Sequence, residues 1–225
     1  MIVAAFQPYL LPYIGYFKLI QSVDTFVILD NVSYRKKSFI NRNCIQLNGQ
    51  PHRFTVPVKK VSQNRNINEH EYLNDGGVVD LFLRAYKAAA DFSSILHPLR
   101  QLNEQTEKAQ ATQNVAEVNT ACIKEVCAIL NITTPIVKAS DLPMTDVMGA
   151  ERIIRICQEL GATDYLNPIG GVELYDHEQF SAGGIQLRLK DFRGELSEDP
   201  PLSIVDSLFR LGVKATQQSM ENRDD

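Results

Sequence analysis

A chain of 225 residues, 44% apolar and 22% charged, has the content for one large core, which argues against a disordered or fibrous protein. Its formal net charge of −4 argues against a general nucleic-acid binder, and no apolar stretch reaches the roughly 20 residues that a bilayer-spanning helix needs. The opening MIVAAF runs straight into Gln7-Pro8 without a basic leader, so no signal peptide is expected and the cytoplasm is the expected location.

Residues 1–6 form an apolar run with the character of a buried strand. Pro8 and Pro12 then impose a loop, because neither can join a central ladder. Helical spacing follows over 14–22, and TFVIL at 25–29 is a second buried strand, rich in β-branched and aromatic residues. Strand, helix and strand in this order predict a parallel βαβ unit with a right-handed crossover. Asp30 and Asn31 are then expected at the carboxyl end of the second strand, level with Gln7 after the first. That rim is where open parallel sheets bind ligands.

Asn48-Gly49-Gln50-Pro51 separates runs at 43–47 and 52–58 and predicts a β-hairpin with Phe54, Val56 and Val58 on one face. The polar segment 59–75 is expected to be an ordered loop, given its Ile67 and Tyr72. From 78 to 131 the pattern is helical, with a stripe of Val115, Val118, Cys122, Ile123, Val126, Ile129 and Leu130, read as an insertion packed on the sheet. A strand at 135–139, a helix capped by Thr145 and ended by Gly161, strands at 164–166 and 184–189, and a helix at 202–211 follow. Residues 217–225 are expected to be a disordered tail. The expected architecture is α/β: a Rossmann-like, mostly parallel sheet flanked by helices, forming a single domain over 1–216 with a β-hairpin and a helical insertion.

The four cysteines and four histidines lack metal-type spacing, so neither a disulfide framework nor a metal site is expected. Chemistry concentrates in three blocks. The first is QPYLLPYIGYF at 7–17. Gln7 stands at the strand's end, Tyr9, Tyr13 and Tyr16 offer flat faces with hydroxyls, and Gly15 permits close backbone approach. The unpaired amides of a helix starting near Ile14 are a ready anion site, and Tyr16 is a candidate catalytic hydroxyl. The alternative use of these aromatics is packing between strand and helix. Tyr13-x-Gly15-Tyr16 also echoes the His-x-Gly-His signature of nucleotidylyl transferases, although tyrosine cannot supply a cationic imidazole.

The second block lies between residues 31 and 68, which hold eight of the 23 Lys and Arg and none of the 27 Asp and Glu. Arg35, Lys36, Lys37 and Arg42 suit a diphosphate clamp, while Asn31, Asn41 and Asn43, with Tyr34 among them, suit sugar hydroxyls. Asp30, the carboxylate nearest to them, suits a general base for an amine, with a strand-end turn cap as its structural alternative. A solvated basic loop is the plain alternative for the whole run. Cys44 falls in a strand pattern with no neighbouring histidine, which disfavours a nucleophile. The third block is NPIGGVELYD at 167–176, where Gly170 and Gly171 admit a ligand to the backbone and Asn167, Tyr175 and Asp176 add polar atoms.

Read in order, these blocks resemble the WbqC-like family of bacterial proteins. The matching segments are 7–17, Asp30-Asn31-Val32-Ser33-Tyr34, Lys36-Lys37, Asn41-Arg42-Asn43, Thr55-Val56-Pro57-Val58, 167–176 and Leu202-Ser203-Ile204-Val205-Asp206, spread over nearly the whole chain. The family often has a basic residue where Cys44 stands, and 193–199 lacks an aromatic that the resemblance would place there. Its members occur in O-antigen and surface-polysaccharide biosynthesis. The resemblance therefore implies a sugar-modifying transferase, acylating an amino group of a nucleotide-activated amino sugar, with glycine as one candidate acyl group. A non-catalytic sugar-nucleotide-binding or scaffold protein and a divergent nucleotidylyl transferase are the rival readings. The expected partner is a nucleotide-sugar or other phosphorylated small molecule. No acyl-donor site, cofactor or oligomeric state can be read from the residues, and no Walker-type loop is present.

Overall fold

The structure, a computed structural model, describes residues 1–103, 113–143, 147–169, 175–192 and 201–221. Five parallel strands form the central sheet: β1 (Ile2–Phe6), β2 (Thr25–Ile28), β5 (Ile136–Lys138), β6 (Asp164–Pro168) and β7 (Gln186–Lys190). Their order is β5-β2-β1-β6-β7, so the chain builds outward from β1 to β5 and then returns to the other side of β1. The direction of winding reverses between β1 and β6, which makes their shared carboxyl edge the switch point of a doubly wound sheet. A separate antiparallel hairpin is formed by β3 (Arg42–Leu47) and β4 (Gln50–Thr55).

Both sheet faces are covered, which explains why the central strands are apolar at successive positions. Ala4, Phe26 and Ile28 point into a core shared with α1 (Ile14–Gln21), the hairpin, α2 (Val78–Ala85), α3 (Ser93–Arg100) and α4 (Val115–Ile129). Val3, Ala5 and Val27 point the other way, onto α5 (Gly149–Glu159) and α6 (His177–Ala182). Burying each of Ile153, Ile154 and Ile156 of α5 contributes about 1.5–3 kcal/mol relative to exposure. Among the described residues no helix is long and apolar enough to cross a membrane, and no group of three His, Cys, Asp or Glu gathers in a metal-binding arrangement.

The hairpin turns one pair earlier than the Asn48-to-Pro51 motif suggests. Asn48 and Gly49 both have positive φ, the pattern of a two-residue turn, and Leu47 already faces Gln50 across it. Consequently β4 ends at Thr55 instead of running to 58. The cap expected at Thr145 falls outside the described residues; Met148 precedes the first turn of α5. The expected disordered tail is also corrected as far as residue 220. After α7 (Ile204–Leu211), Gly212 with φ 82° redirects the chain into α8 (Val213–Met220), whose Thr216 and Met220 are buried one turn apart. Gln217 donates to the Leu130 carbonyl beyond the end of α4 at 3.2 Å, which fastens this last helix.

Candidate functional site

The carboxyl rim is built first by the loop at 7–13. Its backbone oxygens turn into the protein and meet donors from remote elements. Tyr16 Oη donates to the Gln7 carbonyl at 2.9 Å, Asn119 Nδ2 to Pro8 at 2.9 Å, and Asn43 Nδ2 to Leu10 and Leu11 at 3.1 and 2.8 Å. Ser203 Oγ donates to Leu11 at 2.6 Å, and the Ile204 amide to Pro12 at 2.9 Å. With two prolines and a positive φ at Leu11, the loop has few alternative conformations to lose on binding.

Several expected site residues are therefore occupied in forming the site's frame. Tyr16 is 2% exposed, its hydroxyl is engaged, and burial raises its pKa well above the usual tyrosine value, so it is not presented as a catalytic hydroxyl. Gly15 does permit a close approach, but from the chain itself: a Cβ there would meet the Tyr13 ring at 2.4 Å and the Phe192 carbonyl at 2.5 Å. Asn43 is buried beneath the loop, and Asn41 Nδ2 bonds the Val56 carbonyl at 2.9 Å. Tyr34 is buried against the His70 ring, with centroids 4.5 Å apart, and burial pushes its pKa up to about 12 against the opposing charge of Arg42.

Asp30 is at the end of β2, as expected, but is 2% exposed. Its carboxylate accepts from the Ser140 amide at 3.0 Å and from Asn68 Nδ2 at 3.3 Å, tying the exit of β2 to the turn after β5. This is the structural alternative, a cap on neighbouring turns. Nearby, Lys138 pairs with Glu117 of α4 at 2.9 Å. Asn31 Oδ1 accepts from Arg152 Nη2 of α5, and Arg152 Nε is buried with no partner among the described residues.

The eight cations do not converge on one point. Lys59 pairs with Glu71, Arg65 donates to the Lys60 and Glu69 carbonyls, and Arg42 donates to the Lys37 carbonyl. Arg53 is exposed on the hairpin. Arg35, Lys36 and Lys37 do reach the rim, on a turn closed by Ser38 Oγ donating to the Arg35 carbonyl at 2.7 Å. Phe39 anchors that turn to the tyrosine loop: the Leu10 amide donates to its carbonyl at 2.9 Å, and its ring lies 5.8 Å from that of Tyr9. Burial raises the Tyr9 pKa, Arg35 opposes the rise, and Tyr13 adds to it, which places guanidinium and phenol in one electrostatic neighbourhood. These three cations are exposed and have no ion pair among the described residues, and of the three Arg35 acts on Tyr9.

On the far side of the switch point, Asn167 is 3% exposed, and its Nδ2 donates to the Pro168 carbonyl at 3.0 Å. Tyr175 packs edge-on against Tyr165 and Phe180, while Asp176 caps α6 by accepting from the Glu178 amide. Gly170 and Gly171 lie outside the described residues. Among the described residues, clefts also lie away from the rim. One, of about 490 Å³, lies between the hairpin turn and Tyr86, Lys87, Phe209 and Arg210; another, of about 530 Å³, lies beside Thr163 and Gln186 at the opposite sheet edge.

Sequence reasoning missed Asn119, Lys138 and Arg152. Asn119 left a readable trace, since it is a polar residue four positions after Val115 on the apolar stripe. Arg152 left none, because it looks like any solvent-facing charge of an amphipathic helix.

Fold and rim together define a doubly wound α/β protein with a rigid tyrosine loop and a cationic turn at its switch-point edge. The WbqC-like protein family matches residues 7–218, and the chain belongs to that family. It is also similar to the uncharacterized protein Rv1507c of Mycobacterium tuberculosis, at 29% identity over 225 residues, covering 95% of each chain. No solved structure matches the chain.

Proposed function

We propose that the carboxyl rim binds a nucleotide-activated amino sugar, and that the protein is a transferase acylating the amino group of that sugar in bacterial surface-polysaccharide biosynthesis. The observation that carries the reading is the junction of the Arg35–Lys36–Lys37 turn with the Tyr9 loop at the switch-point edge. Cationic donors there suit a diphosphate, Arg with paired planar donors and Lys as point charges. Tyr9 and Tyr13, both half-buried, suit the face of a base or sugar ring. Rate would come from placement and from donors aimed at the developing oxyanion, with the acyl donor supplied from outside the residues assigned so far.

A second reading, a non-catalytic sugar-nucleotide-binding protein, is favoured by one specific observation. Asp30 and Tyr16, the candidate catalytic groups, are both buried and hydrogen-bonded to the protein. Incubation with a nucleotide-linked amino sugar and a panel of acyl donors, followed by mass spectrometry, separates the two. A new acylated mass supports transfer, and binding without turnover supports the second reading. Absence of binding refutes both.

A further inference from the structure

The inserted helices have no role in the proposal above, yet the rim depends on one residue within them. Asn119 of α4 is fully buried and makes three hydrogen bonds with its amide. Nδ2 donates to the Pro8 carbonyl at 2.9 Å and to the Ile40 carbonyl at 2.7 Å, and Oδ1 accepts from Tyr72 Oη at 2.8 Å. Carbonyls only accept, so the orientation of this amide is dictated by its neighbours. Pro8 belongs to the tyrosine loop and Ile40 to the segment that carries Arg35, Lys36 and Lys37. One side chain thus joins the two halves of the rim, which otherwise meet through Phe39 and Asn43.

The same helix makes two more rim contacts. Asn114, its N-cap, donates from Nδ2 to the Asn68 carbonyl at 2.6 Å, next to Asp30, and Glu117 pairs with Lys138 at the end of β5. Through its N-cap, its first turn and Asn119, α4 therefore reaches the Pro8 loop after β1, Asn68 beside Asp30, and Lys138 at the end of β5.

We propose that Asn119 is a positioning residue: it holds the tyrosine loop and the cationic turn in register, and the inserted helix α4 serves the site through it. This inference rests on the reading of the rim as an anion site. A buried amide spanning two carbonyls has no aliphatic substitute, because its removal takes the Asn119 donor from the Pro8 carbonyl and leaves the Ile40 carbonyl only its 3.1 Å bond from the Tyr72 hydroxyl.

The test compares the native chain with Asn119→Ala by hydrogen exchange and by calorimetric titration with inorganic pyrophosphate. Exchange in peptides spanning 7–13 and 38–44 is expected to accelerate by about tenfold or more, with the Leu10 amide as reporter, while 153–159 on the opposite face stays unchanged. Pyrophosphate affinity is expected to fall by about tenfold at a temperature where both proteins are folded. Equal acceleration at 153–159, or none at the two rim peptides, overturns the inference. Native and variant chains binding pyrophosphate equally overturns it too, while leaving the anion site standing. A native chain that does not bind pyrophosphate overturns the rim reading instead, and the exchange result still decides whether Asn119 holds the loops. Should Asn119→Ala fail to fold, Tyr72→Phe, which removes the hydroxyl that donates to Asn119 Oδ1 and to the Ile40 carbonyl, carries the same comparisons.

Discussion

Gly15 separates two meanings of a glycine in a binding loop: room for a ligand, or room for the protein's own backbone. A methyl group at this position would lie 2.4 Å from Tyr13 Cε2 and 2.5 Å from the Phe192 carbonyl oxygen. The tyrosine ring can turn aside. The carbonyl cannot, because Phe192 is 2% exposed and lies two residues beyond the end of β7. Gly15 does not have positive φ, so alanine costs nothing in backbone conformation and the penalty is purely steric. Overpacking of this kind costs about 1–3 kcal/mol. For a chain of this size each kcal/mol lowers the melting temperature by roughly 2–4 °C, so Gly15→Ala is expected to melt about 4–8 °C lower near the middle of that range. Thermal unfolding followed by circular dichroism measures this directly. A melting temperature within about 1 °C of native refutes the reasoning. If the same variant then lost pyrophosphate binding, the space would belong to a ligand after all.

Three further outcomes follow from the contacts. Asp30→Asn keeps the side chain's shape but replaces one carboxylate oxygen with a donor, and is expected to cost about 1–2 kcal/mol in a urea titration. Native-like stability with abolished turnover would instead make Asp30 a reacting base. Asp164 is held below its ordinary pKa of 3.8, first by the Thr163 hydroxyl at 2.5 Å and then by Arg188 at 2.7 Å, against its burial. Its depressed value means that the stabilisation is complete above the unfolded pKa and is lost as pH falls through the lower folded value. Asp164→Asn should therefore flatten the acid limb of stability below pH 3.8, and an identical limb in the variant would refute the assignment. Finally, Lys36→Ala combined with Lys37→Ala should weaken pyrophosphate binding with stability changed by less than about 0.5 kcal/mol, since both residues are exposed. Unaltered affinity would reduce the turn to ordinary surface.

The first βαβ unit was legible because apolar runs, paired prolines and helical spacing occur in order within 28 residues, and each is a local signal. The stripe on α4 was legible for the same reason. The last helix was not, since Thr216 and Met220 are its buried residues and two such positions make no readable period. In the site, the tyrosine loop and the basic run were visible as composition. Which of their residues face outward was not, because Tyr16, Asn43 and Asp30 are committed by partners 9 to 110 positions away. The same residue types at the same spacing serve a ligand or a frame equally well until those partners are known.

The connection between β2 and β5 has a consequence for how the chain comes into being. β2 acquires its outer neighbour only when residue 136 has been made, after the hairpin and every inserted helix. Until then a growing polypeptide carries Phe26 and Ile28 on an open sheet margin, the kind of edge on which nascent chains stick to one another. Closing so long a span is also slow compared with forming β1, α1 and β2. The arrival of β5 thus covers that margin of β2, while β1 keeps its other margin open until β6 has been made.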